Sequence, residues 1–139
     1  FLQSMYDHGA GPYFDVLARQ PYADPVSEGV NGLAERIRRI RDVMIRNDDD
    51  GKDIWVTEIG WATIRTSSYS FSEKQQADWL KRSFDCLSRF DYVKKTVWFN
   101  FRDLGADPTI PDHNYGLIRR DWTPKETLSA YRDYITTHG

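Results

Sequence analysis

The stretch Ile54-Trp55-Val56-Thr57-Glu58-Ile59-Gly60-Trp61 joins β-prone apolar residues to a carboxylate, and it decides the fold. Its first part, Ile54 to Thr57, is predicted to form a short strand that leads directly into Glu58. Two other β-prone stretches flank it along the chain. Tyr13 to Ala18 predicts a buried strand, and Thr96 to Phe101 predicts a third strand.

Helical patterns separate these predicted strands. A helix is expected to begin at Ser27, because apolar residues recur after it at helical spacing, namely Leu33, Ile37, Ile40 and Met44. The segment Ser72-Glu73-Lys74-Gln75 is a capping box and predicts the start of another helix. That second helix is expected to bury Ala77, Leu80, Phe84 and Leu87.

Both ends of the chain are also predicted to be helical. Phe1 to Tyr6 has the pattern of the last turns of a helix, which Gly9 and Gly11 would end. Thr123-Pro124-Lys125-Glu126 predicts a second capping box with Pro at the first helical position. An amphipathic helix is expected to follow, with Leu128, Tyr131 and Ile135 on its apolar face.

Strands that alternate with helices indicate an α/β fold with a parallel sheet and right-handed crossovers. A doubly wound sheet and a (β/α)₈ barrel both fit this alternation, but three strands are too few for a closed barrel. An unrelated doubly wound domain would require a phosphate-binding glycine turn after a strand. Gly9 and Gly11 precede the first predicted strand, which makes this the weaker alternative.

The composition predicts one domain over residues 1–139. Apolar residues make up 40% of the chain and the formal net charge is −2, whereas a dedicated nucleic-acid binder carries a basic excess. No uninterrupted apolar run exceeds three residues, so we expect neither a membrane span nor a signal peptide. Cys86 is the only cysteine, which excludes an intrachain disulfide. The chain opens at Phe1 inside an apolar stretch, and we therefore expect a piece of a longer polypeptide.

Glu58 is the strongest candidate for chemistry, because the carboxyl ends of parallel strands form the ligand-binding edge of such sheets. A carboxylate at that edge, among aromatic residues, can act as a nucleophile or a base. The alternative is a strand-end carboxylate that only accepts hydrogen bonds from loop amides. Its position supports both interpretations equally.

The third predicted strand supports a functional interpretation. It carries Trp98 together with two hydrogen-bonding residues, Asn100 and Arg102, at a corresponding strand end. An aromatic face beside polar groups fits a sugar ring, whose C–H face stacks while its hydroxyls need hydrogen-bond partners. Packing in the core is the alternative, and it fits the neighbouring phenylalanines better than Trp98.

These motifs together resemble the large clan of retaining glycoside hydrolases built on (β/α)₈ barrels, most closely families 39 and 5. Thr57-Glu58-Ile59-Gly60-Trp61 is similar to the strand-seven motif of that clan, and Trp98-Phe99-Asn100-Phe101-Arg102-Asp103 is similar to strand eight. Phe14 to Tyr22 resembles strand six, and Tyr115 to Lys125 resembles the turn into the last helix. The resemblance implies that the chain is the C-terminal portion of a TIM barrel, with about three βα units and strands six to eight.

The resemblance also implies roles for individual residues. Glu58 takes the position of the nucleophile, and Trp98 takes that of the aromatic floor beneath the reacting sugar. Gln20 stands where the strand-six motif often has His, which changes the hydroxyl that this position would meet. Further ligand contacts are implied for Tyr22, Asn100 and Arg102. Trp61 would line the site or pack beneath the loop.

The second carboxylic acid that retaining hydrolysis requires is missing from the pattern. In the clan it is a Glu that follows an Asn at the end of strand four, and no Asn of this chain precedes a Glu. Strands one to five and the acid/base are therefore expected outside this chain.

The implied function is part of a retaining glycosidase that cleaves β-linked oligo- or polysaccharides. The alternative is an inactive fragment or a carbohydrate-binding half-barrel that needs a partner chain. We expect a carbohydrate substrate, and either self-association or pairing with the missing N-terminal half of the barrel. No cofactor is implied, and the spacing of His8, His113 and His138 does not predict a metal site.

Overall fold

The computed structural model describes residues 1–138, and in them helices alternate with the strands of a small sheet. The helices are α1 (Leu2–Asp7), α2 (Gly29–Arg46), α3 (Glu73–Leu87) and α4 (Glu126–His138). The strands are β1 (Val16–Arg19), β2 (Asp53–Ile59), β3 (Ile64–Arg65), β4 (Ser70–Phe71) and β5 (Val93–Trp98). A three-stranded sheet has the order β1-β2-β5, with β1 parallel to β2, while β3 and β4 form an antiparallel hairpin. The predicted α/β class with a parallel sheet is confirmed.

The chain divides into two compact units, which are described separately. Unit 1 comprises residues 1–59 and 86–97, and unit 2 comprises residues 60–85 together with the chain from residue 98 onward. Unit 1 therefore contains α1, α2, β1, β2 and all of β5 except Trp98. Unit 2 contains the β3–β4 hairpin, most of α3 and all of α4.

The core of unit 1 is aliphatic. Its fully buried side chains come from one face of α2, from β2 and from the end of α3, and they are Leu33, Ile37, Met44, Ile54, Val56, Ile59 and Leu87. Ile54 and Val56 follow the period of two that a strand imposes on its side chains, whereas Ile59 at the end of β2 is out of that phase. The helical spacing of the apolar residues in α2 explains why one face of that helix is buried.

The core of unit 2 contains several buried polar side chains beside its aromatic and aliphatic ones. Gln76 of α3 is fully buried, and its Nε2 donates to the carbonyl oxygens of Trp61, at 2.6 Å, and Asn114, at 3.2 Å. Its Oε1 accepts a hydrogen bond of 2.7 Å from the hydroxyl of Thr127 on α4. Buried polar groups are tolerated when they are hydrogen-bonded in this way, so Gln76 joins both helices of the unit to a loop.

Several local predictions are confirmed. The capping box at Ser72 forms, with the Gln75 amide donating to Ser72 Oγ at 3.2 Å and the Ser72 amide donating to Gln75 Oε1 at 2.9 Å. Gly9 follows α1 with a φ of 77°, a conformation that glycine adopts more readily than other residues.

The predicted bounds of two strands are wrong. The first strand runs from Val16 to Arg19, because the Gly-Pro pair at residues 11 and 12 starts a 3₁₀ turn that includes Tyr13. Leu17 is the one buried side chain of that strand, so the prediction of a buried strand is also wrong.

The third strand begins at Val93 and ends at Trp98, instead of spanning Thr96 to Phe101. Beyond its end, the backbone carbonyls of Asn100 and Phe101 accept hydrogen bonds from a later segment around Leu117. At residues 99–101 that pairing takes the place of a continued strand.

Three helix predictions also need correction. The second capping box does not form, because the Thr123 hydroxyl donates to Asp121 at 2.5 Å and α4 begins three residues later. The first long helix begins at Gly29, after a turn, and not at Ser27. Ala77 is only half-buried, so its predicted burial is wrong, while Leu80, Phe84 and Leu87 are buried as predicted.

We expect Gly60→Ala to destabilise the protein by about 3 kcal/mol, because overpacking against rigid backbone is costly. A Cβ atom at Gly60 would overlap the Phe99 carbonyl oxygen and lie 2.9 Å from the Tyr115 ring. Urea unfolding provides the measurement. Gly51→Ala is the matched control, since nothing lies within 4 Å of its Cβ position, and it should change the free energy of unfolding by about 0.5 kcal/mol or less. Equal effects of the two substitutions would contradict this packing.

A cluster of aromatic and charged side chains surrounds Tyr6 in unit 1. The Tyr6 ring packs on Phe14 at a centroid distance of 5.9 Å, and the Lys52 ammonium lies 4.3 Å from the centre of the Phe14 ring. Lys52 also pairs with Asp49 at 2.7 Å. Burial, together with the negative charge of Asp49, raises the pKa of the Tyr6 hydroxyl from 10.0 to about 12.

This shift predicts a loss of stability in alkali. An unfolded tyrosine ionises near pH 10, whereas folded Tyr6 keeps its proton to about pH 12, so the stabilisation is complete below pH 10 and is lost between pH 10 and 12. We expect Tyr6→Phe to show a shallower fall in the free energy of unfolding over that range, measured by urea unfolding at successive pH values. The remaining slope would come from groups such as Tyr92 and Tyr115, whose pKa values burial also raises. An unchanged slope would contradict the assignment.

Candidate active site

The carboxylate of Glu58 in unit 1 is held by two side chains that follow β1. Gln20 Nε2 donates to Glu58 Oε1 at 2.9 Å, and the Tyr22 hydroxyl donates to Glu58 Oε2 at 3.4 Å. Each carboxylate oxygen therefore has one side-chain donor. Glu58 is half-buried, and Gln20 is exposed.

The parallel register of β1 and β2 explains why these three residues meet. Arg19 is paired with Val56, so the chain leaves β1 beside the last residues of β2. The Thr57 hydroxyl donates to the Arg19 carbonyl oxygen at 3.4 Å, which holds the two strand ends together. Both strands point the same way, and their carboxyl ends form one edge of the sheet. Side chains that follow β1 can reach a side chain near the end of β2 for this reason.

This arrangement orients a carboxylate at the strand edge. Two donors on different oxygens fix the plane of the carboxyl group, and the partial exposure of Glu58 leaves it accessible from solvent. An oriented and accessible carboxylate can act as a nucleophile or as a base.

Trp98 lies in the core of unit 2. Its side chain is 7% exposed, its ring meets Phe84 edge-on at 6.4 Å, and its indole Nε1 donates to the Tyr115 carbonyl oxygen at 3.2 Å. These contacts describe a packing residue. Its role as the floor of a sugar site stays a prediction that this burial does not favour.

Trp61 is also buried in unit 2, and its exposed fraction is 3%. Its Nε1 donates to Ser83 Oγ at 2.8 Å, and its ring lies 5.1 Å from that of Trp79. Of the two interpretations given for Trp61 from the sequence, these contacts favour packing beneath the loop.

Asn100 and Arg102 are half-exposed residues of unit 2. Asn100 Oδ1 accepts a hydrogen bond of 2.6 Å from the Phe101 amide, which leaves the side-chain amide group to face other partners. The Arg102 guanidinium lies 4.3 Å from the centre of the Trp122 ring. Their role in binding a ligand stays a prediction.

Trp122 was not singled out by the sequence patterns, although it is 66% exposed and has a φ of 72°. The sequence feature that could have identified Trp122 is its position as an aromatic residue within the turn before Pro124.

Of the residues predicted for the site, Gln20, Tyr22 and Glu58 are in contact within unit 1. Trp61, Trp98, Asn100 and Arg102 lie in unit 2. Within residues 1–138, no group of three His, Cys, Asp or Glu side chains is placed to hold a metal ion. No helix in the described part of the chain has the length and apolar character needed to cross a bilayer.

A parallel sheet with an oriented carboxylate at the end of its central strand is characteristic of α/β enzymes whose sites lie at the carboxyl edge of the sheet. The particular family follows from a match with the glycosyl hydrolase catalytic core over residues 1–131, so the chain belongs to that family. The resemblance inferred from the sequence motifs is thereby confirmed.

Solved structures of glycoside hydrolases share the fold. A family 39 glycoside hydrolase from Bacteroides cellulosilyticus WH2 matches with 23% identity and a TM-score of 0.73, over 99% of this chain and 30% of its own. A family 2 β-galacturonidase from Eisenbergiella tayi matches with 18% identity and a TM-score of 0.73, over 93% of this chain and 25% of its own.

A β-glucuronidase from Faecalibacterium prausnitzii matches with 19% identity and a TM-score of 0.67, over 94% of this chain and 23% of its own. The chain thus spans less than a third of each of these three proteins. No curated protein matches it in sequence.

We expect Ser83→Ala to destabilise the protein by about 1–3 kcal/mol, because the buried indole N–H of Trp61 would lose its acceptor. Trp61→Phe removes that donor together with part of the ring. The double variant should therefore cost less than the sum of the two single changes, as measured by urea unfolding. Additive costs would show that the two side chains do not interact.

Proposed function

We propose that this chain carries the nucleophile of a retaining glycoside hydrolase and that Glu58 is this residue. An oxygen of the Glu58 carboxylate would bond to the anomeric carbon while the bond to the leaving oxygen breaks, and the electron pair would depart with that oxygen. A carboxylic acid outside this chain would protonate the leaving group. The resulting carboxylate would then take a proton from water as the water attacks the glycosyl ester and releases Glu58.

The observation that carries this proposal is the pair of hydrogen bonds to Glu58. Gln20 donates to one carboxylate oxygen and Tyr22 to the other, at the carboxyl end of β2. A nucleophile must present a lone pair in a fixed direction, and a carboxylate with one donor on each oxygen meets that requirement. A residue that only accepted loop amides would show backbone donors instead.

The substrate in this proposal is a β-linked oligo- or polysaccharide. Gln20 and Tyr22 would contact hydroxyls of the sugar bound at Glu58, since Gln20 Nε2 carries a second N–H and the Tyr22 oxygen can accept a hydrogen bond. Asn100 and Arg102 are proposed as further contacts on account of their partial exposure. Trp61 and Trp98 are weaker candidates because both are buried.

The architecture that we propose for residues 1–139 is one partial (β/α)₈-barrel domain. In it, β1, β2 and β5 correspond to strands six, seven and eight. This is supported by the alternation of strands and helices and by coverage of about a quarter of the matched glycoside hydrolases. Strands one to five and the acid/base would be supplied by a further N-terminal half or by another chain.

A second candidate function is a catalytically inactive fragment or a carbohydrate-binding half-barrel that requires a partner chain. Val97 on β5 favours it, because this apolar side chain is 52% exposed within unit 1. In a closed barrel a strand side chain is covered either by the inward side chains of other strands or by the surrounding helices. Self-association of the chain would be one way to cover it.

Labelling with 2-deoxy-2-fluoro β-glycosides that carry a dinitrophenolate leaving group tests the proposal. Such a leaving group departs without protonation, so the experiment does not require the missing acid. We expect intact mass spectrometry to show the addition of one glycosyl group to the chain and none to Glu58→Gln. The matched control is Glu35→Gln, which changes an exposed glutamate of α2 and should be labelled normally. Absence of label with every sugar would favour the inactive alternative.

The two donors to Glu58 should set the labelling rate. We expect Gln20→Ala and Tyr22→Phe each to slow labelling by about 10- to 100-fold, which corresponds to a hydrogen bond to a charged group of about 1.5–3 kcal/mol. Tyr13→Phe, which changes an exposed tyrosine of the same unit, should leave the rate unchanged. If Gln20→Ala and Tyr22→Phe react at the unaltered rate, then neither side chain positions the carboxylate.

A further inference from the structure

Unit 2 contains a cavity of about 580 Å³ with charged walls. This volume lies within the range of small-molecule binding sites in proteins. The charged side chains that line it are Glu73, Asp103, Arg119, Arg120, Asp121 and Lys125. None of the residues that hold Glu58 takes part in the lining.

A buried ion pair lies in the wall of this cavity. Lys125 Nζ is 2.8 Å from Asp103 Oδ1, and both side chains are almost fully buried. The ammonium also donates to the Asn114 carbonyl oxygen at 3.1 Å and to Thr63 Oγ1 at 3.4 Å, so its three donors are used. Burial lowers the pKa of Lys125, and the hydrogen bond and charge of Asp103 oppose that shift.

A second ion pair closes another side of the cavity. Arg119 contacts Glu73 through two hydrogen bonds of 2.8 and 2.7 Å. Its remaining nitrogen donates to the Pro124 carbonyl oxygen at 2.9 Å and to Thr123 Oγ1 at 3.0 Å. Arg119 and Glu73 therefore satisfy each other's charge and hydrogen-bonding groups. They line the cavity without presenting an unpaired charge to it.

Three polar groups of the lining keep unused hydrogen-bonding capacity. Asp103 Oδ1 accepts from Lys125 and from the Gly116 amide, whereas no hydrogen bond within residues 1–138 reaches Oδ2. The Arg120 guanidinium has no hydrogen bond or ion pair to any described residue. Asp121 Oδ1 accepts from the amide and the hydroxyl of Thr123, whereas no hydrogen bond within residues 1–138 reaches its Oδ2. The cavity thus combines free acceptors on two carboxylates with a free donor on an exposed guanidinium.

The charge of the lining limits the kind of ligand. Its three cationic side chains equal its three anionic ones in number, and four of the six are engaged in ion pairs with each other. A phosphate or another strong anion needs a surplus of positive charge. A neutral ligand with several hydroxyl groups needs both acceptors and donors, which the free groups of the lining supply.

We propose that this cavity binds one neutral sugar unit, as a carbohydrate site separate in its residues from the Glu58 cluster. The Asp103 carboxylate would accept from one hydroxyl, and the Arg120 guanidinium would donate to another. The inference rests on the family's carbohydrate substrate, which is part of the proposed function. It does not require Glu58 to be the nucleophile.

Amide NMR of the ¹⁵N-labelled chain provides a test that locates the ligand. The probes are methyl β-glycosides of glucose, galactose and xylose, each titrated to tens of millimolar, with inorganic phosphate in a parallel titration. We expect one of the sugars to shift the amides of Gly105 and Ala106, which line the cavity, in a saturable manner. Phosphate should shift them less at equal concentration.

Variants then test the assigned contact. Arg120→Ala should raise the dissociation constant at Gly105 and Ala106 at least tenfold, because a charge-assisted hydrogen bond is lost. Arg132→Ala, at an exposed position of α4 outside the lining, is the matched control and should leave the dissociation constant unchanged. Well-dispersed spectra of both variants show that they fold. The proposal would be overturned if none of the three sugars shifted the two amides. It would also be overturned if both variants had the same effect, or if phosphate shifted the amides more than the sugars did.

The outcome can be separated from that of the proposed nucleophile. Glu58→Gln should abolish labelling by fluoroglycosides and leave sugar binding at Gly105 and Ala106 unaltered. Sugar-dependent shifts without labelling would support the cavity and contradict the nucleophile. Labelling without those shifts would support the nucleophile and contradict the cavity.

Discussion

The packing of unit 2 depends on the hydrogen bonds that the Asn114 carbonyl oxygen accepts. This oxygen accepts hydrogen bonds from the Thr63 amide at 3.1 Å, from Gln76 Nε2 at 3.2 Å and from Lys125 Nζ at 3.1 Å. These donors come from the loop after β2, from α3 and from the residue that precedes α4. Because the group is buried, loss of this acceptor would leave its donors unsatisfied. One oxygen atom therefore connects three separate segments through hydrogen bonds.

The success of the sequence predictions depended on whether another residue competed for the expected contact. The capping box at Ser72 could be predicted because both of its bonds lie within four residues and form as the pattern indicates. The box at Thr123 has the same local signature, but Asp121 and Arg119, two and four residues earlier, bind the Thr123 hydroxyl instead. The end of the third strand is determined by pairing with residues near Leu117, which no local pattern reveals. A competing local contact thus decided the second case, and a contact between remote segments decided the third.

For the candidate site, the position of Glu58 at a strand end was foreseen, and its partners were foreseen only in part. Gln20 and Tyr22 were candidates, but their contact with Glu58 depends on the parallel register of β1 and β2. The predicted role of Trp98 illustrates a different difficulty. Neighbouring residues of a strand face opposite sides, and here Val97 is exposed while Trp98 is buried. The sequence alone does not determine which of these two side chains lies on the ligand-binding side.

The amide of Gln20 has a consequence for how the protein responds to acid. A histidine at this position, as in the related strand-six motif, would gain or lose a proton near neutral pH and would change its charge beside Glu58. An amide has no proton to exchange in that range, and its N–H donates to Glu58 Oε1 at any physiological pH. The Gln20 donor to the carboxylate therefore does not change its charge with pH. This edge of the sheet has one ionisable group fewer than a histidine at residue 20 would give it.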